Sequence, residues 1–354
     1  MVTDLDLALR NAVGLRRSTD LYVLTDDNSQ QYCLPLVRQT LDIADSHILC
    51  LPHGEEQKTL ASVETIWQFL INQQATRHSL LLIVGGGVLT DMGGFAASTF
   101  KRGIPYVNLP TTLLAMVDAA QGGKTGFDYC GLKNEIGMFA SPKDTIIYPP
   151  FLKTLPYEQL LSGYAEMLKH ALIASPLELI HVLAFNLDDI DWEIFAELIQ
   201  RSIDIKQYIV EQDPEETGLR KSLNFGHTIG HALEEYYLSH KPEPGNGQQV
   251  GAPLTHGYAV MYGIVAELYL SVIKLSLPQQ TLTQVVHFMT EHYGKPVCPC
   301  KDYSVLIDLM RHDKKNTSDS EINFSLLRQV GNCRIDQHCT EQEITEALDF
   351  LFNL

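Results

Sequence analysis

The chain has 354 residues, 45% of them hydrophobic and 19% charged, ordinary for a globular enzyme long enough for two domains and able to bury a core without disulfide staples. Its formal charge of -17 excludes the extended basic surface that broad nucleic-acid or anionic-membrane binding needs, while local basic clusters can still hold a small anion. Seven scattered cysteines point to reduced thiols, and a start lacking a basic region followed by an apolar core points to the cytoplasm.

From Leu21 to about Ile147, short apolar runs alternate with helical stretches: Leu21 to Leu24, His47 to Leu51, Ser79 to Val84 and Tyr106 to Leu109. Strands interleaved with helices predict an α/β domain on a largely parallel sheet. Polar groups stand at the ends of these runs. Thr25-Asp26-Asp27-Asn28 follows the first and offers groups for ribose or adenine; Gly54-Glu55 to Lys58 follows the second, as a capping box or a cofactor contact. Gly85-Gly86-Gly87, with Asp91 four residues on, follows the third. Glycines there let backbone N–H groups approach a pyrophosphate, although the spacing is not the Rossmann fingerprint and a glycine run is also simply a tight turn. Pro110-Thr111-Thr112 ends a later strand and offers hydroxyls.

Lys101-Arg102-Gly103, the stretch Asp118 to Lys124, and Lys133-Asn134 put basic and amide groups on what read as glycine-rich loops, which together suggest an anionic substrate. Gly122-Gly123-Lys124-Thr125 resembles the end of a Walker A motif, but the first glycine that motif requires would fall at Asp118.

After Pro149-Pro150 the periodicity lengthens, predicting helices over Leu155 to Ile173, Leu177 to Ala184, Ile194 to Gln212, Arg220 to Tyr237 and Gly257 to Leu275. The last is apolar, yet Glu267 and Lys274 favour a buried helix over a membrane span. His227 and His231, four apart, fall on one helix face, and His256 returns about a loop later, beyond a Pro/Gly-rich link that starts at Lys241. With Glu166 as a carboxylate, this is the donor set of a catalytic divalent metal. The alternative is that some of these histidines are ordinary helix residues bonded to carbonyls. Lys206, Arg220 and Asn224 are read as lying on a continuing helical pattern beside them. His312 to Lys315 adds two lysines, and Cys298-Pro299-Cys300 suits neither a zinc knuckle nor a redox pair.

Taken in order, the segments from about Val23 to Lys315 resemble the 3-dehydroquinate synthase family, the shikimate-pathway branch of the sugar phosphate cyclases. The resemblance implies a dehydroquinate synthase-like fold: a Rossmann-like α/β N-terminal domain with a mostly parallel sheet over 1–156, which binds NAD, and a mainly α-helical metal-binding domain over 157–354. It implies a molecule that is commonly a homodimer. Residue by residue, it implies Glu166, His227 and His256 as ligands of Zn2+ or Co2+, and His231, Glu216 and Lys169 as catalytic residues, the first two in proton transfer. Substrate contacts would be Arg102, Asp118, Lys124, Asn134, Lys206, Arg220, Asn224 and Lys314 (or its neighbour Lys315), with Lys169 also touching substrate. NAD contacts would be Asp26, Asn28, Glu55, Lys58, Gly86, Gly87, Asp91, Thr111, Thr112, Lys133, Phe151, Thr154 and Leu155. The chain departs from the family pattern at Asp128, in place of a frequent asparagine, at Leu132, in place of glycine, and at Ser162, in place of an asparagine that often meets the cofactor.

The implied partner is a small phosphorylated sugar acid, 3-deoxy-D-arabino-heptulosonate 7-phosphate. Its C5 is oxidised transiently by NAD, phosphate is eliminated with the departing phosphate taking the C6 proton, C5 is reduced again, and ring opening and an intramolecular aldol closure give 3-dehydroquinate. Three other readings are weighed: another sugar phosphate cyclase, an iron-type polyol dehydrogenase, and an NAD-binding regulator without turnover.

Overall fold

The structure, a computed structural model, describes residues 1–130, 132–240, 254–311 and 322–354. The chain divides into two compact units, Met1–Leu160 and Leu161–Leu354.

The first unit opens with helix α1 (Leu5–Val13) and then alternates β1 (Leu21–Asp26), α2 (Asp27–Tyr32), α3 (Leu34–Thr40), β2 (Ile48–Leu51), α4 (Leu60–Asn72), β3 (Leu80–Gly85), α5 (Gly87–Thr99) and β4 (Tyr106–Pro110). A hairpin follows, β5 (Lys124–Tyr129) with β6 (Leu132–Phe139), and then the short β7 (Asp144–Thr145). The main sheet has the order β2-β1-β3-β4-β7 and is parallel throughout. Strands β1 and β3 are buried along their whole length, which is why they read as unbroken apolar runs instead of alternating ones. Leu24, Ile83, Val63, Ile66, Met92 and Ala96 form the centre of the core on one face of this sheet.

The strands of the main sheet up to β4 fall where the apolar runs predict them. The expectation of glycine-rich loops at Lys124 and Asn134 is corrected, since both lie on strands of the β5–β6 hairpin. That hairpin escapes a periodicity reading because its partners Gly126 and Gly137 carry no side chain and its register shifts between Phe127 and Tyr129.

The second unit is mostly helical. It comprises α6 (Tyr157–Ala174, begun in the first unit), α7 (Pro176–Ala184), α8 (Trp192–Gln212), α9 (His227–His240), α10 (His256–Leu275), α11 (Gln279–His292), α12 (Tyr303–Arg311), a hairpin of β8 (Asn323–Gln329) and β9 (Asn332–His338), and α13 (Glu341–Phe352). Among the described residues α10 alone has the length and apolarity to cross a membrane. It is instead a core helix, buried from Ala259 to Leu268. The β8–β9 hairpin was not anticipated; Leu326 and Leu327 of β8 are fully buried, and the Leu327 N–H donates to Ser271 Oγ of α10 at 3.0 Å.

A single helix over Arg220 to Tyr237 is also corrected. Leu219–Asn224 forms a 3-10 turn, the chain breaks at Phe225-Gly226, and only then does α9 begin. Gly226 holds φ at +81°, a left-handed value that favours glycine. Its carbonyl oxygen lies against Gly263 of α10, where an added Cβ would stand 2.0 Å from that oxygen and 2.7 Å from the Gly230 nitrogen. Gly263→Ala is therefore expected to force α9 and α10 apart and to destabilise the metal-free protein by roughly 1–3 kcal/mol. Urea unfolding of the two proteins measures this, and an unchanged midpoint would refute the close approach.

Candidate active site

Three elements of the second unit bring a ligand set together. Glu166 lies in the middle of α6, His227 opens α9 and His256 opens α10. Their ligand atoms all lie within 4.8 Å of one another. Glu166 is fully buried, and its Oε1 lies 3.5 Å from His227 Nε2 and 3.6 Å from His256 Nε2. Each imidazole is oriented from its other nitrogen. His227 Nδ1 sits 3.2 Å from the Phe225 carbonyl, and His256 Nδ1 sits 3.4 Å from Glu234 Oε2.

Such outer partners fix the tautomer that presents Nε2 inward. Two imidazole nitrogens and one carboxylate oxygen suit Zn2+ or Co2+ with coordination positions left for substrate. Burial alone would lower the pKa of His256, but the carboxylates of Glu166 and Glu234 outweigh it and raise it to about 10. The surroundings therefore favour a positive charge at this point.

The neighbouring side chains belong to different elements. His231 is one turn along α9 from His227, with ring centroids 5.2 Å apart, and lies 6.1 Å from the His256 ring. It stands beside the ligand triad without being part of it. Lys169, one turn along α6 and buried, forms an ion pair with Glu166. Lys206 is on α8, not on a continuation of the histidine helix, and is buried. Arg220 and Asn224 sit on the 3-10 turn before α9. Arg220 is 2% exposed, and its Nη1 donates to the Pro214 carbonyl at 2.7 Å. Asn224 Nδ2 donates to Glu216 Oε1 at 2.9 Å. Ser162, at one of the departures from the family pattern, accepts the Gly257 N–H through Oγ at 3.1 Å and so serves the first turn of α10.

The expected nucleotide residues of the first unit are gathered by the sheet. Asp26 ends β1, Glu55 and Lys58 follow β2, Gly86, Gly87 and Asp91 follow β3, and Thr111 and Thr112 follow β4, all at carboxyl ends of parallel strands. The strand order changes direction between β1 and β3, the switch point at which open α/β sheets take ligands. Asp26 accepts the Ser29 N–H at 2.7 Å, and the Ser29 hydroxyl reaches Thr111 Oγ1 at 3.0 Å. Burial raises the Asp26 pKa, with the Ser29 hydrogen bonds acting in the opposite sense. Gly86 caps α5 without a side-chain hydrogen bond, so this helix N-terminus fits the pyrophosphate of a dinucleotide.

Beside it, buried Lys58 donates to Asp91 Oδ2 at 2.6 Å. Burial would lower the Lys58 pKa; Asp91 and Glu55 outweigh it and hold it above its usual value. The Asp128 N–H donates to the Lys58 carbonyl at 2.8 Å, tying the β5–β6 hairpin to this edge, and Lys133 Nζ lies 3.5 Å from Glu55. Asp128, another departure, accepts the Asn134 N–H at 2.8 Å while Asn134 sits at φ +54°. Asp118 and exposed Lys124 follow β4 in the same unit.

Some expected residues are placed otherwise. Arg102 follows α5, which runs from the carboxyl end of β3 back to the start of β4, so it lies at the opposite end of the sheet from Thr111 and Asp118. Phe151 is buried against Tyr148, leaving its backbone but not its ring for a cofactor. Exposed Thr154 and half-buried Leu155 end the same 3-10 turn, while Asn28 is exposed on α2. Lys314 and Lys315, and the link over 241–253, lie outside the described residues.

Sequence reasoning missed Glu234, one turn beyond His231, and Asp213. The Asp213 carboxylate accepts the N–H groups of Thr217 at 3.0 Å, Gly218 at 2.7 Å and Arg220 at 3.0 Å. It thus shapes the loop that carries Glu216, at φ +59°, and Arg220. A single Asp before a turn is too common a signal to have found it.

Family models described as "3-dehydroquinate synthase N-terminal" and "3-dehydroquinate synthase C-terminal" match residues 48–162 and 163–316. A curated 3-dehydroquinate synthase of Parabacteroides distasonis is 44% identical over 98% of this chain and 95% of its own. Among solved structures, a 2-epi-5-epi-valiolone synthase of Streptomyces hygroscopicus with NAD+ and Zn2+ bound superposes with a TM-score of 0.78 at 25% identity, covering 94% of this chain and 91% of that one. A 2-deoxy-scyllo-inosose synthase complexed with carbaglucose-6-phosphate, NAD+ and Co2+ gives 0.79 at 22% identity, covering 96% and 93%.

Slight burial pushes the Asp213 carboxyl up, but the N–H groups of Gly218, Arg220 and Thr217 prevail and hold it at about 2. This pKa is below the unfolded value of about 3.9, so its stabilisation is complete above pH ~4 and is lost as pH falls through ~2. Asp213→Asn should therefore be less stable than the parent at pH 6 and approach it as pH falls through that window. Thermal melts of the metal-free proteins at several pH values test this; a constant difference down to the lowest pH would contradict the assignment.

Proposed function

The chain belongs to the 3-dehydroquinate synthase family, and from that premise we propose how its residues divide the work. It converts 3-deoxy-D-arabino-heptulosonate 7-phosphate to 3-dehydroquinate and phosphate. The observation that carries this reading is the convergence of two imidazole Nε2 atoms on one oxygen of buried Glu166, in a chain 44% identical to a named relative over nearly its full length. Bound NAD supplies a reversible hydride acceptor, and bound Zn2+ or Co2+ supplies Lewis acidity that eases loss of a substrate hydroxyl proton.

Glu166, His227 and His256 would hold the metal. His231, one turn from His227, would carry the proton of the C5 oxygen, with Glu216, bonded to Asn224, as the further proton-transfer residue. Lys169 neutralises Glu166 and offers a donor to substrate. The substrate contacts that the family resemblance implies, Asp118, Lys124, Asn134, Lys206, Arg220, Asn224 and Lys314, carry the chemistry to recognise a carboxylate, hydroxyls and a phosphate. Charge-assisted contacts of this kind contribute about 1.5–3 kcal/mol each. The C6 proton passes to the departing phosphate, so the basic groups that hold that phosphate also place the base.

NAD would lie along the carboxyl edge of the main sheet. Gly86 and Gly87 at the N-terminus of α5 would hold its pyrophosphate, and Asp26, Asn28, Glu55, Lys58, Asp91, Thr111, Thr112 and Lys133 would hold the rest. Phe151, Thr154 and Leu155 would complete the set. Residence in the cytoplasm is supported by seven cysteines that are all free thiols.

A homodimer is supported by Arg102. At the opposite end of its own sheet from Asp118, this residue can serve as a substrate contact for a second copy. Mixing inactive Arg102→Ala and His227→Ala subunits should then restore up to about one quarter of the parental rate, because half of randomly assorted dimers are mixed and each keeps one intact site. No recovery after subunit exchange would remove Arg102 from the partner's site.

The direct test is to supply metal-loaded protein with the heptulosonate phosphate and catalytic NAD. Dehydroquinate by mass, one phosphate per turnover and no net NADH are expected; turnover of sedoheptulose 7-phosphate instead would move the chain to a sister activity. His227→Ala should lose metal and turnover together, whereas His231→Ala should keep metal and slow turnover by roughly 10²-fold or more. Metal analysis beside rate measurement separates the two, and a His227→Ala protein that retains zinc and full rate would sink the ligand assignment.

A further inference from the structure

We propose that Glu267, outside the ligand set, is the positioning residue that fixes His227 against His256 and thereby sets the affinity of the centre for its divalent cation. The inference rests on the reading of Glu166, His227 and His256 as ligands.

Glu267 lies on α10 and is fully buried. Its Oε2 accepts the Gly226 N–H at 2.6 Å, and its Oε1 accepts the N–H groups of Thr228 at 3.0 Å and Ile229 at 3.2 Å. These donors flank His227 in the chain; Gly226 immediately precedes α9, and Thr228 and Ile229 lie in its first turn, where N–H groups have no intrahelical acceptor. The residues before His227 are Phe225 and Gly226, so no local side chain can act as a cap. The carboxylate of the adjoining helix does so instead. It faces the positive end of the α9 dipole, which offsets the desolvation of a buried charge.

The consequence is geometric. Helix α10 carries both Glu267 and His256, while α9 carries His227. Contact of Gly263 with Gly226 sets how closely the helices approach, but glycine packing alone offers little resistance to sliding along the axis. A slip of one residue moves a ligand by about 1.5 Å, several times the roughly 0.2 Å that metal–ligand distances tolerate. Three hydrogen bonds accepted by one buried carboxylate oppose that slip. Through these bonds Glu267 acts on the backbone on either side of a ligand.

The test uses the metal-free full chain, titrated with Zn2+ in competition with a chromophoric chelator, together with thermal melts. Glu267→Gln keeps size but replaces one acceptor by a donor. Leu348→Ala, in the core on α13, is a control that lowers stability away from α9. Glu267→Gln should weaken Zn2+ binding by about tenfold or more, in the range typical of lost outer-shell support, while Leu348→Ala binds as the parent does. Should Glu267→Gln not fold, Glu267→Asp, which keeps the charge and shortens the reach, is expected to show the same loss. Glu267 variants that bind Zn2+ as tightly as the parent would overturn the proposal, as would an equal loss in Leu348→Ala. A parent chain that does not bind Zn2+ at all would instead overturn the ligand assignment.

Discussion

Helices α9 and α10 meet backbone to backbone, and the metal centre depends on that contact. The Gly226 carbonyl lies where a side chain on Gly263 would be, and further along Gly230 lies against Ala259, an added Cβ on it standing 3.1 Å from the Ala259 carbonyl. At a conventional helix separation of 8–10 Å, the imidazoles of His227 and His256 would not reach the same carboxylate oxygen. Helix α6 is brought in by the same means. A Cβ on Gly257 would fall 2.0 Å from the Ser162 carbonyl, which places Glu166, one turn further along α6, under both rings. Three helices contribute one candidate ligand each, and small residues set the spacing among them.

Charge is handled locally in each unit. Buried Lys58 is matched by Asp91, buried Lys169 by Glu166, and buried Glu267 by backbone N–H groups. A buried ion pair adds little to stability, since desolvation offsets most of the Coulomb gain, but breaking one partner leaves an uncompensated charge and is costly. Both ion pairs involve residues of the proposed sites, Lys58 and Asp91 for the nucleotide and Glu166 for the metal. The overall charge of -17 is therefore compatible with recognition of an anionic sugar phosphate, because the cations that matter are few and held in place.

Much of this was legible in the chain. The four apolar runs gave the main strands because parallel strands covered on both faces must be apolar throughout, and the carboxyl-end polar residues then follow from topology. The histidine spacing on α9 was readable because four residues return a helix to the same face. What was hidden has physical reasons. The break at Gly226 is invisible to periodicity, since the apolar pattern continues through it. The β5–β6 hairpin is masked by paired glycines and a register shift. Arg102 shows its basic character in the sequence but not the end of the sheet it occupies, which depends on α5 running the length of β3 and back. Glu234, Glu267 and Asp213 act through partners distant in the chain or through backbone groups, and neither relation leaves a residue-type signature.

The capping of α9 by a side chain from α10 has a consequence for motion. First-turn amides of a helix ordinarily exchange their protons with solvent through small local openings, because nothing within the helix binds them. Here the amides of Gly226, Thr228 and Ile229 end on a carboxylate with no exposure of its own. Their exchange requires α9 to leave α10, which also pulls His227 away from His256. The end of a helix that would normally fray first is thereby tied to the buried core, and His227 with it.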